Sequence, residues 1–138
     1  MKSSLQTLQR IQKFNIDEQR KILVDLQNKQ ENCQKNLTRL IAQFEEEKTM
    51  AQKMGTLVDF GAYVQRFLDE KKALEDEIEQ LQQQIEIVRD KIADMFKEQK
   101  TYEIVDNNRQ KRKEKEETQK EQKMLDEIGT NNYLKRKK

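Results

Sequence analysis

Five cations, Arg109, Lys111, Arg112, Lys113 and Lys115, fall within seven residues. At that density they could lie along nucleic-acid phosphates or against an anionic membrane. Glu114, Glu116, Glu117 and Glu121 are interleaved with them or follow them, no aromatic residue offers a stacking platform, and no base-reading module surrounds them. The stretch therefore reads as a solvated or protein-binding helix surface, and no nucleic-acid partner is expected. Gly55 and Gly61 lack the spacing and the Lys-Ser/Thr pair of a phosphate-binding loop, so they read as a turn. Glu45, Glu46 and Glu47 have no loop to converge them on a cation and read as a solvated helix face. The chain has no histidine, hence no imidazole base or ligand, and a lone Cys33 excludes both a disulfide framework and a Cys-type zinc site. Cys33 reads as a small inward-facing hydrophobe. No cofactor and no enzymatic chemistry are expected.

With 138 residues, 33% hydrophobic, 39% charged and no proline, the chain cannot build a broad core. An ordinary domain has about 25% charged residues. Long helices sharing a narrow apolar seam are the economical solution. No apolar run approaches the roughly 18 residues of a membrane span, and no signal peptide is apparent, so a soluble cytoplasmic protein is expected.

In the first half, Leu8, Ile11, Ile22, Leu26, Cys33, Leu37, Leu40 and Phe44 trace a seam. Asn15, Glu18 and Gln30 fill its gaps, which requires a four-residue stutter near Leu26. In the second half, Leu74, Ile78, Leu81, Ile85, Val88, Ile92 and Met95 keep strict 4-3 spacing, extended by Phe67, Lys71, Gln99 and Tyr102. Gly55 fits the C′ position of the first helix. Thr56 opens a capping box with Asp59, or Asp59 is itself the N-cap.

The expected fold is all-α: a long two-helix antiparallel coiled-coil hairpin whose second helix overhangs, in which residue i faces roughly residue 110 minus i. Residues 1–128 form one domain, with helix 1 over about 4–52, a turn over 53–59 and helix 2 over 60–128. Gly129, Asn131 and Asn132 are read as its stop, leaving 129–138 as a disordered basic tail. A monomer is expected for the isolated chain.

Apolar residues off the seam mark candidate docking sites. Ile41, Leu68, Ile87, Phe96 and Ile104 largely widen the core stripe, whereas Phe60 and Tyr63 lie beside the turn, where little covers them. Residues 106–123 are 18 in number and none is apolar, yet Met124, Leu125 and Ile128 follow on one face with no partner in the hairpin. Such a cluster reads as a surface that docks onto another protein.

The run Leu5-Gln-Thr-Leu-Gln-Arg-Ile-Gln-Lys-Phe14, with Lys100-Thr-Tyr-Glu103 and the block Glu121-Gln-Lys-Met-Leu-Asp-Glu127, resembles the flagellar FliJ proteins of the bacterial type III export apparatus. The likeness extends over the whole length. It implies a stalk similar to the coiled coil of rotary ATPases, inserted into the hexameric ring of the export ATPase FliI. It also implies contact with the cytoplasmic domain of the export gate FlhA and escort of export chaperones during flagellum assembly. Location would then be cytoplasmic, at the flagellar base, peripheral to the inner membrane and touching it only through the gate. By motif match Leu125, Asp126 and Glu127 belong to the ATPase-facing end, with Met124, Ile128, Lys111, Arg112 and Lys113 as further candidates. The gate-facing residues fall on Asn36, Leu40, Tyr63 and Phe67. By register Leu40 and Phe67 point inward, and Tyr63 best fits a surface role. Rival readings are the stalk of a virulence secretion system and a generic coiled-coil adaptor or nucleic-acid-binding helix.

Overall fold

A computed structural model describes residues 4–56, 58 and 60–136. The described chain is an all-α helical hairpin of two helices, α1 (Ser4–Met54, 51 residues) and α2 (Gly61–Arg136, 76 residues).

The end of α1 follows from one glycine. Gly55 takes a φ of +69°, a conformation that carries no Cβ penalty in glycine. The turn it makes lets the Thr56 N–H return to the Ala51 carbonyl at 3.0 Å, the six-to-one bond of a Schellman cap. The Thr56 hydroxyl donates to the same carbonyl, so Thr56 closes α1 and does not cap α2 as the capping-box reading expected. The Phe60 carbonyl accepts the first bond of α2, from the Val64 N–H, which puts Phe60 at the N-cap. Asp59, the other half of that capping box and the alternative cap, lies outside the described residues.

At its other end α2 departs from expectation. It continues through Gly129, Asn131 and Asn132 to Arg136 instead of stopping at Ile128. Gly129 does not enter the positive-φ region that ended α1. A glycine that stays helical costs only about 1 kcal/mol. Local bonds support the turn around it: Thr130 Oγ1 donates to the Asp126 carbonyl at 2.9 Å, and Gln122 Nε2 donates to Asp126 Oδ1. Lys135 and Arg136 occupy the last turn, where they complement the negative end of the helix dipole.

The chain divides into two compact units, one formed by Phe14–Met95 and the other by Met1–Lys13 with Phe96–Lys138. Within Phe14–Met95 the helices are antiparallel neighbours: Phe44 meets Phe67, and Gln30 meets Gln82. On α2 the inward residues are those the 4-3 spacing picks out, with Leu81, Ile85 and Ile92 buried. Ile85 is only 1% exposed, and its burial contributes about 2–3 kcal/mol.

On α1 the register differs from the one expected. Its inward residues run Ile16, Gln19, Leu23, Leu26, Gln30, Cys33, Leu37, Leu40 and Phe44, in unbroken alternation of three and four, with no stutter. Ile16 is 2% exposed, while Ile22, expected inside, lies outside. The reason is chemical. The spacing of apolar residues passes over Gln19, yet a seam can hold a glutamine amide when the facing helix supplies partners, as it does for Gln30.

The second unit repeats that pattern. Leu5, Gln9 and Gln12 face inward from α1, and Gln99, Tyr102 and Asp106 from α2. Gln12 is buried, and its Nε2 donates to Glu98 Oε2 at 3.1 Å. Leu8 and Ile11, expected inside, are about half exposed. From Asn107 to Arg136 every residue of α2 is exposed. All five ion pairs among the described residues lie within one helix at i, i+3 or i, i+4 spacing. Such exposed pairs contribute about 0.3–0.5 kcal/mol each, so the seam, and not surface charge, holds the helices together.

Candidate protein-docking surfaces

Beside the turn, four aromatic rings stack on one another. Phe44 and Phe67 approach to 3.9 Å between ring centroids, with the planes 11° apart. Tyr63 lies 6.0 Å from Phe44 and 5.0 Å from Phe60, and Phe60 lies 5.8 Å from Phe44. Sequence reasoning placed Phe60 and Tyr63 on an uncovered tip, but both are half-buried against Phe44. A short turn folds the start of α2 back over the end of α1, and that return supplies the cover.

A groove opens along the helix pair beside this stack. Its part nearest the turn, about 290 Å³, is lined by Leu40, Gln43, Tyr63, Arg66, Phe67 and Glu70. The adjoining part, about 420 Å³, is lined by Asn36, Arg39, Leu40, Gln43, Glu70, Ala73 and Leu74. Leu40, Gln43 and Glu70 belong to both. The structure thus gathers Asn36, Leu40, Tyr63 and Phe67 on one surface, although Leu40 and Phe67 are inward by register. A half-buried seam residue presents one edge to solvent at the mouth of the groove, which periodicity does not distinguish from full burial. Arg39 and Arg66 were not singled out from the sequence, because exposed charges on a helix carry no mark of a groove.

In the other unit, Met124, Leu125 and Ile128 are 62%, 63% and 53% exposed. Asp126 and Glu127 line a shallow depression with Lys123, Thr130 and Asn131. Lys111, Arg112 and Lys113 are exposed on the same helix. Continuation of α2 adds Tyr133 and Leu134 as exposed apolar residues, which the expected stop at Gly129 had concealed.

Chemical capacity is slight. Among the described residues no group of three histidines, cysteines or carboxylates is placed to hold a metal ion. Cys33 is buried; desolvation raises its thiol pKa, and the neighbouring Glu77 raises it further through its charge and a hydrogen bond. The thiolate, the reactive form, is thereby disfavoured. No helix among the described residues is long and apolar enough to cross a membrane. Compared with known families, residues 1–138 match the model of the flagellar FliJ protein.

The chain belongs to the FliJ family. Comparison with curated proteins and with solved structures gave no match. FliJ proteins are non-catalytic components of the flagellar export apparatus, a form of type III secretion, and membership covers the whole chain.

Proposed function

We propose that the chain is the stalk and coupling element of the flagellar export ATPase. The end of α2 enters the hexameric FliI ring, the groove beside the turn meets the cytoplasmic domain of the gate FlhA, and export chaperones are escorted between them. Its place is the cytoplasmic face of the flagellar base, peripheral to the inner membrane. The observation that carries this reading is the stretch from Asn107 to Arg136. It is continuous helix, exposed at every residue, and it holds Met124, Leu125 and Ile128 away from any seam. A helix in water gains nothing from exposed apolar groups, whereas a partner that buries them gains about 25 cal/mol per Å² of apolar surface. The mechanism is positional: a helix held in a ring biases the conformations of the subunits it touches, and no bond is made or broken on the stalk itself. The family match favours the flagellar system over a virulence injectisome.

Truncation after Lys123 tests the reading. The described residues it removes are all exposed, so the stability of the rest should change by less than about 0.5 kcal/mol. Stimulation of the purified export ATPase and of its ring assembly should be lost. Equal stimulation by the truncated and full chains would rule out insertion of this end.

A further inference from the structure

The groove beside the aromatic stack carries charges that its apolar floor does not explain. Arg39, on α1, lines its part farther from the turn, and Arg66, on α2, lines the part nearer the turn together with Phe67; Leu40 belongs to both parts. Neither arginine forms an ion pair among the described residues, although Arg20, Lys21, Lys29, Lys35 and Lys71 each do. Glu70 is the one carboxylate on the lining, so two guanidiniums stand against a single acid.

In the free protein both guanidiniums are solvated and cost nothing. A partner that covers the floor also strips water from the two arginines, and each then needs an anion. A carboxylate meets a guanidinium through two parallel hydrogen bonds, which an ammonium or a neutral group cannot make. Cationic partners are disfavoured by the same pair of charges. The floor narrows the choice further. Leu40, Ala73, Leu74 and the edge of Phe67 gain from an aliphatic or aromatic side chain and offer nothing to a polyphosphate. Glu70 repels a continuous acidic run, which favours an apolar anchor with carboxylates set to either side.

We propose that this groove docks an acidic segment of a partner protein, seating one apolar side chain against Leu40 and Phe67 and pairing flanking carboxylates with Arg39 and Arg66. The inference rests on the reading of this end as the gate-docking end and adds the chemistry of what docks there.

The test is a nuclear magnetic resonance titration of the full chain with two capped tripeptides, Asp-Phe-Asp and Lys-Phe-Lys, at low ionic strength. The acidic peptide should shift the backbone amides of Leu40, Gln43 and Glu70, bind at least about fivefold more tightly than the basic one, and lose that advantage in high salt. The double variant Arg39→Glu and Arg66→Glu should reverse the preference while leaving the helical circular dichroism signal unchanged, since both residues are exposed. Absence of shifts at these amides, equal binding of the two peptides, or an unaltered preference in the double variant would each overturn the proposal. Binding of the gate's cytoplasmic domain is measured separately. If the gate binds elsewhere while the peptide preference holds, the gate assignment fails and the groove chemistry stands.

Discussion

Gln30 lies between the two helices and donates from Nε2 both to Gln82 Oε1, at 2.8 Å, and to the Ile78 carbonyl, at 3.4 Å. Its neighbours along the seam are Leu26 and Cys33, so one amide interrupts an otherwise apolar stretch. A polar group in a coiled-coil seam lowers stability and selects the one alignment that satisfies it. Slippage of the helices by a heptad would replace Gln82 opposite this amide by Glu75 or Arg89 and so break the amide pair.

Gln30→Leu should therefore raise the melting temperature while loosening the choice of partner. Thermal circular dichroism should show the higher midpoint, and analytical ultracentrifugation should show dimers growing with concentration. A stabilised variant that stays strictly monomeric would mean that Gln30 does not set the alignment.

Ile85 and Ile87 are two residues apart and opposite in environment, 1% and 65% exposed. Ile85→Ala should cost about 2–5 kcal/mol through lost burial and the cavity left behind. Ile87→Ala should stay within about 0.5 kcal/mol. Chemical denaturation of both variants checks the register of α2 directly.

The aromatic stack makes a graded prediction. Phe67→Ala removes the ring closest to Phe44 and should cost about 3 kcal/mol. Tyr63→Ala should cost about 1 kcal/mol, because Tyr63 is half-buried and stacks on two rings. If Tyr63→Ala leaves denaturation unchanged, the ring is a free docking side chain after all.

Charge reversal at Lys111, Arg112 and Lys113 should leave folding intact, since all three are exposed. Association with the export ATPase should weaken, and the loss should shrink as salt is raised, because exposed charges act through a screened field. A loss of equal size at all salt concentrations would point to a specific contact instead.

Cys33 gives a pH dependence whose sign follows from linkage. Burial first, and Glu77 second, raise the thiol pKa of the folded chain. The unfolded thiol ionises near its ordinary value of about 8.5, so it loses its proton first. Unfolding then releases a proton, and the contribution of Cys33 to stability is full below that pH and falls as pH rises above it. As pH rises above about 8.5, denaturation midpoints should decline more steeply for the native chain than for Cys33→Ala. The thiol should also react slowly with disulfide reagents until the chain is unfolded.

Much of α2 and of the turn was legible in the residues. Seven apolar side chains at strict 4-3 spacing leave one amphipathic helix, and Gly55 marks the one place where a left-handed residue ends α1. The antiparallel pairing followed too, because two helices joined by a short turn have no other way to meet. The inward face of α1 before Leu26 was not legible. Leu8, Ile11 and Ile22 look like seam residues and lie outside, whereas Gln12 and Gln19 look like surface residues and lie inside; Gln30, placed in the seam by spacing, does lie there. Whether an amide can be buried depends on what the opposite helix offers it, and Glu98, Gln82 and the Ile78 carbonyl are 48 to 86 positions away along the chain. The groove was hidden for the same reason. The family resemblance pointed to Asn36 and Leu40 on α1 and to Tyr63 and Phe67 on α2, but the groove they line with Arg39 and Arg66 exists only where the two helices meet. Periodicity sets which side of each helix seeks the other; the pairing of individual side chains across the gap decides the register and the surface that results.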